Sequence, residues 1–184
     1  MSILWSAVIG PDEAIEIPDA ETQADYEVEL AVVIGNTARR LTIGNAMDHV
    51  FGYTVLNDVS ARDVMVRNRL QITLSKSPDT FCPVGPQVVT RDEIADPYNL
   101  EIATYLNGDV RQHSNTAQMM VRIPELLSAL TRKITLRPGD LVTTGTPGGV
   151  GFFRQPQEFM KPGDVITASI AEVGNLTNRV VKGW

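Results

Sequence analysis

Asp25-Tyr-Glu-Val-Glu-Leu-Ala-Val-Val-Ile-Gly35 is the stretch that decides the fold. A strand period of two puts Tyr26, Val28, Leu30, Val32 and Ile34 on one face and Glu27, Glu29, Ala31 and Val33 on the other. Both faces are partly apolar, so the strand is expected inside the protein, with its two glutamates at the lip of a pocket. Like charges at this spacing repel, and a cation between them removes the repulsion. Hard oxygen donors without a Cys or His cluster favour magnesium, manganese or calcium over zinc. Two glutamates at i and i+2 equally suit a solvated face or edge of a sheet, and spacing alone leaves both readings open.

Working outward, most other segments also read as strands. Leu100-Glu-Ile-Ala-Thr-Tyr-Leu106 is followed by Asn107-Gly108 and Asp109-Val110-Arg111, which predicts a hairpin because both turn residues accept positive φ. Tyr26 to Ile34, Tyr53 to Asn57, Val84 to Thr90, Leu141 to Thr146 and Val165 to Ile170 are rich in β-formers and bounded by Gly, Pro or Asp. The opening run from Met1 to Gly10 is read as a strand too; it lacks a basic start and is far shorter than the roughly 18 residues of a spanning helix. One helix is clear, with Ile123, Leu126, Leu127 and Leu130 on one face and Pro124 in the first turn. A shorter helix is expected over 45–51. The reading is an α+β chain, mainly β with a few short helices, forming a single domain over 1–184.

Composition narrows the partners. A formal net charge of −6 argues against nucleic acid and anionic membrane, which call for clustered Lys and Arg, and leaves a small molecule. The single cysteine, Cys82, cannot build an internal disulfide framework, and a cytoplasmic setting is expected. Its neighbours Phe81 and Pro83 favour a buried structural thiol over a nucleophile. Asn57-Asp58-Val-Ser-Ala-Arg62-Asp63 adds a second acidic centre after an apolar strand. There Asp58 reads either as a further ligand or as a turn or cap residue. The glycine-rich run 145–151 lacks the Gly-Lys-Ser/Thr of a phosphate loop and is read as a substrate-side loop.

These segments, together with Ser75-Lys76-Ser77-Pro78-Asp79-Thr80-Phe81, Asn107-Gly108, Ser114-Asn115-Thr116, Pro138-Gly139-Asp140 and Thr144-Gly145-Thr146-Pro147-Gly148-Gly149-Val150-Gly151, resemble the fumarylacetoacetate hydrolase family in order and spacing from about Asp25 onward. The resemblance implies a mixed β-sandwich roll, a homodimer, and a Mg2+ or Mn2+ site with Glu27, Glu29 and Asp58 as ligands. It makes Lys76 the active-site lysine and assigns substrate contacts to Arg62, Gln71 and Thr146 as well as Lys76. It implies action on a small 2-oxo acid or its enol, with the metal stabilising enolate charge during C–C hydrolysis, decarboxylation or tautomerisation and isomerisation.

The match has departures. Family members carry an upstream Gly-x-Asn-Tyr-x-x-His-x-x-Glu segment whose His and Glu activate water; the expectation here is that this lid is absent, since neither His49 nor His113 stands in such a motif. Met65 stands where relatives place a substrate-contacting glutamine, and Pro78 replaces a common phenylalanine. The competing expectation is therefore a family member that binds metal and a 2-oxo acid without turnover.

Overall fold

The computed structural model describes residues 3–20, 22–68 and 71–183. Its strands are β1 (Val8–Ile9), β2 (Ile15–Ile17), β3 (Ala24–Asp25), β4 (Val28–Ile34), β5 (Val50–Asn57), β6 (Ser60–Ala61), β7 (Cys82–Thr90), β8 (Glu101–Leu106), β9 (Asp109–Asn115), β10 (Leu141–Thr143), β11 (Val165–Ile170) and β12 (Gly174–Lys182). The α-helices are α1 (Arg62–Arg67), α2 (Ile72–Lys76) and α3 (Ile123–Thr131). One five-stranded sheet runs β1-β7-β5-β4-β10, a second runs β2-β12-β11-β8-β9, and β3 pairs with β6 in a small separate ladder. The chain is thus mainly β with few helices, as expected.

The two large sheets pack face to face through one apolar core. Val28, Leu30, Val32, Ile34 and Val55 of the first sheet meet Ile102, Ala168, Ile170 and Leu176 of the second. Helix α3 closes one end with the fully buried Ile123 and Leu127, while Leu126 and Leu130 pack against the rim. The opposite face of β4 is covered as well, with Ala31 lying among Ala7, Leu56 and Cys82. Every residue of β4 is buried, which explains the apolar run on both of its faces.

Several boundaries differ from the sequence reading, each for a local reason. Tyr26 and Glu27 lie outside β4 because Asp25 Oδ1 and the Asn57 side chain, not a neighbouring strand, accept their N–H groups. Strand β10 stops at Thr143, where the Thr144 hydroxyl turns back to the Leu30 carbonyl and Gly145 takes φ +93°. The opening run yields a 3-10 turn at Trp5–Ala7 and only the short β1; Met1 and Ser2 lie outside the described residues. The expected helix over 45–51 is a 3-10 turn at Ala46–His49 leading directly into β5. Strand β12 escaped the pattern because one of its inward positions is Asn178, whose amide donates to the Gly10 and Glu13 carbonyls.

The seating of α3 can be tested. Leu127→Ala should destabilise the chain by about 2–5 kcal/mol in chemical denaturation, because it empties a fully enclosed site. Glu125→Ala on the same helix should stay within about 0.5 kcal/mol; equal effects would mean the helix does not pack as described.

Candidate metal centre

The pairing of β4 with β5 builds the site. Its register sets Val28 opposite Asn57, so the chain leaves β5 directly beside Glu27. The Asp58 N–H then donates to the Glu27 carbonyl at 2.8 Å, and the Glu27 N–H donates to Asn57 Oδ1 at 3.0 Å. Glu29 follows two residues later on the same side. Glu27, Glu29 and Asp58 each offer a carboxylate oxygen, and these oxygens lie within 4.8 Å of one another. All three residues are nearly closed to solvent.

Two cations share the space. Lys76, at the end of α2, brings its Nζ to 2.5 Å from Glu27 Oε2, 2.7 Å from Asp58 Oδ2 and 3.2 Å from the Asp58 carbonyl. Arg62, at the start of α1, donates through Nη2 to Glu27 Oε1 and through Nε to Asp25 Oδ2 at 2.9 Å. Asp25 is fully buried and also accepts the N–H groups of Tyr26, Gly151 and Phe152. Four buried carboxylates therefore face two side-chain cations, a deficit of two positive charges in a medium that tolerates uncompensated charge poorly.

The deficit falls on Glu29 and Asp58. Glu29 receives one strong hydrogen bond, from the Gly145 N–H at 2.6 Å. Burial, reinforced by neighbouring Asp58 and Glu27, pushes its carboxyl up to about 8 against the opposing pull of that N–H and Lys76. Burial also raises the Asp58 carboxyl above the usual range, despite the Lys76 ammonium beside it. Asp58 Oδ1 is buried without a hydrogen-bond partner among the described residues. An oxygen-only donor set, an orphaned carboxylate oxygen and a charge deficit of two all fit a hard divalent cation. Glu27, Glu29 and Asp58 are the residues that could hold it.

The other sequence candidates separate. Arg62 and Lys76 join the acidic cluster, and Thr146 stands in the loop whose Gly145 meets Glu29. Gln71 stands exposed before α2, the helix that ends at Lys76. His49, half-buried, lies beside the Asn36 carbonyl and His113, exposed, lies beside Glu101. Cys82 is buried, and burial next to Asp58 and Glu29 pushes its thiol up to about 12, the signature of an inert side chain. Two further buried residues belong to the site beyond those the sequence reading names: Asp25, described above, and Gln112, which bonds to both β4 and the Thr146 loop. Register offers a signal for Gln112, since it faces the buried Thr104 across the hairpin.

The loop itself is anchored at both ends, by Glu29 at Gly145 and by Asp25 at Gly151 and Phe152. A Cβ on Gly151 would collide with the Glu158 carbonyl and approach Asp25, so only glycine allows this fit. Thr144 to Gly148, with Ser114, Asn115, Met119 and Met120, line a cavity of about 400 Å³.

The chain is similar to known proteins over nearly its whole length. The family model described as Fumarylacetoacetate (FAA) hydrolase C-terminal matches residues 4–181. Among curated relatives, a mitochondrial oxaloacetate tautomerase of Bos taurus is 49% identical over 177 residues; the match covers 96% of this chain and 56% of the relative. The chain thus spans little more than half of that protein. Among solved structures, a fumarylacetoacetate hydrolase from Exiguobacterium antarcticum superposes with TM-score 0.90 at 42% identity, covering 97% of this chain and 64% of that one. A 2-hydroxyhepta-2,4-diene-1,7-dioate isomerase from Mycobacterium marinum gives TM-score 0.88 at 40% identity, covering 96% and 66%. The mitochondrial relative overturns the cytoplasmic setting expected from composition: one buried, unpaired thiol carries no information about compartment.

The raised Glu29 carboxyl has a consequence for stability in metal-free protein. Between the ordinary value of 4.5 and about 8, the folded chain keeps a proton that the unfolded chain has released, so stability falls as pH rises through that window. The slope from this one group is at most on the order of 1 kcal/mol per pH unit. Urea melts of chelator-treated protein at pH 5 and pH 7.5 should show the decline, and Glu29→Gln should flatten it. A Glu29→Gln profile parallel to that of the parent would refute the assignment.

Proposed function

The chain belongs to the fumarylacetoacetate hydrolase family, and from that premise we propose that it catalyses the keto–enol tautomerisation of a small 2-oxo acid, with oxaloacetate as the candidate substrate. The relative named as an oxaloacetate tautomerase and the isomerase among the structural neighbours support this choice within the family. The observation that carries it is the convergence of buried Glu27, Glu29 and Asp58, which together with Asp25 outnumber the side-chain cations Arg62 and Lys76. In this reading they hold Mg2+ or Mn2+, which supplies Lewis acidity where enolate charge develops.

The remaining chemistry belongs to the chain. Tautomerisation moves one proton between carbon and oxygen and needs neither a nucleophile nor an oxidant. Lys76 Nζ, buried beside Glu27 and Asp58, offsets negative charge on a substrate oxygen and is the group placed to carry a proton. Arg62 and Thr146 serve the substrate carboxylate, and Gln71 would have to approach from its exposed position. Burial among apolar side chains keeps bulk water from the cluster and strengthens each of these interactions. A homodimer is part of the same proposal, supported by the exposed Trp5, Met120 and Phe153. A second reading, binding of metal and 2-oxo acid without turnover, is favoured by Met65, a thioether where the family pattern has an amide.

The test is ketonisation of oxaloacetate enol by purified protein with Mg2+ or Mn2+, followed alongside pyruvate release. The expected outcome is metal-dependent acceleration without pyruvate, about one ion bound per chain, loss of both binding and rate in Glu29→Ala, and a rate lower by about 10²–10⁴-fold in Lys76→Met. Pyruvate release would redirect the assignment to decarboxylation. Metal-dependent binding of oxalate, an enolate mimic, with no turnover of any oxo acid would establish the binding module instead.

A further inference from the structure

Gln112 lies on β9 with 1% exposure, and both ends of its amide are pinned independently. Its Oε1 accepts the Val28 N–H at 3.2 Å and the Thr104 hydroxyl at 2.8 Å. Its Nε2 donates to the Pro147 carbonyl and to Thr146 Oγ1, each at 2.8 Å. A backbone N–H can only donate and a carbonyl can only accept, so Val28 and Pro147 fix which end of the amide is which. All four hydrogen-bonding capacities are used, and the side chain has no alternative orientation of equal quality.

This fixes the polarity of Thr146. Both hydrogens of the amide nitrogen are committed, one of them to Thr146 Oγ1, which is therefore an acceptor toward Gln112. The hydroxyl hydrogen must leave in another direction, and among the described residues it reaches no protein acceptor. Thr146 also lines the cavity between β9 and its own loop, one residue from the Gly145 N–H that holds Glu29.

We propose that Gln112 is a positioning residue that, by holding Thr146 Oγ1 as its acceptor, keeps the Thr146 hydroxyl hydrogen free for an anionic oxygen of the ligand. The inference rests on the functional reading above, in which a 2-oxo acid enters beside the acidic cluster. It assigns a share of ligand binding to a residue that need not touch the ligand. Because Gln112 also bonds to Val28, the first residue of β4 and the one between Glu27 and Glu29, it ties the orientation of the donor to β4 itself.

The experiment replaces Gln112 with Glu, which keeps the shape but turns the Thr146-facing end into an acceptor. Calorimetry with oxalate on Mn2+-loaded protein should show binding weakened about tenfold or more, as expected for a lost hydrogen bond to a charged group. Mn2+ affinity should be unchanged, and oxaloacetate KM should rise more than kcat falls. Thr146→Val should weaken oxalate to a similar degree, Thr146→Ser should restore most of the affinity, and Gln112→Glu with Thr146→Val should be no worse than Thr146→Val alone. Gln112→Met, which keeps bulk and leaves the hydroxyl free to rotate, provides a second variant and should fall between parent and Gln112→Glu. Parent-like oxalate binding in Gln112→Glu, or multiplicative losses in the double variant, would overturn the role of Gln112 and leave the functional reading standing. Failure of the parent protein to bind oxalate with any divalent metal would overturn both.

Discussion

Repulsion among carboxylates enclosed in one small volume is the constraint on which the rest of the structure depends. Asp25, Glu27, Glu29 and Asp58 could not be brought this close in a low-dielectric interior unless cations were brought with them. Arg62 and Lys76 come from two short helices with little to hold them by themselves, and their ion pairs fasten those helices to the sheet. The compensation is incomplete, and Glu29 and Asp58 carry the remainder. In the proposed reading a folded chain therefore favours a dication, and the scaffold around the cluster is held by bonds that the ion would not supply.

That scaffold is the β4–β5 ladder. Its register decides that Asn57 and Asp58 meet Glu27, and a shift of one residue would turn both glutamates toward the opposite face. The apolar core between the sheets fixes this register, since Val28, Leu30, Val32 and Ile34 fit the second sheet only in one phase. Burial of ordinary hydrophobic side chains is therefore what aims the charged ones.

Much of this was legible in the chain. The double-faced apolar run after Glu29 announced a buried strand, and Asn107-Gly108 announced its hairpin. Acidic residues before and after two such strands drew attention to Glu27, Glu29 and Asp58, and the ordered motifs added Arg62, Lys76 and Thr146. What remained hidden was hidden for physical reasons. Helices α1 and α2 are too short to show a period. Asp25 and Gln112 take part of their bonding from main-chain groups far along the chain, Gly151 and Phe152 for the one and Val28 and Pro147 for the other, and such partners leave no complementary residue type to be found in the sequence.

The loop from Gly145 to Phe152 has one more implication. Its two ends are moored by Glu29 and Asp25, which stand only four positions apart on a single extended segment. The span between the moorings is a fixed length of rope, and an inserted or deleted residue would pull one of those carboxylates out of line. Divergence in ligand choice within such an architecture must then proceed by exchanging side chains along this strap at constant length. Room for additions begins at the bend spanned by Arg154 and Glu158, where Gln155, Pro156 and Gln157 are exposed.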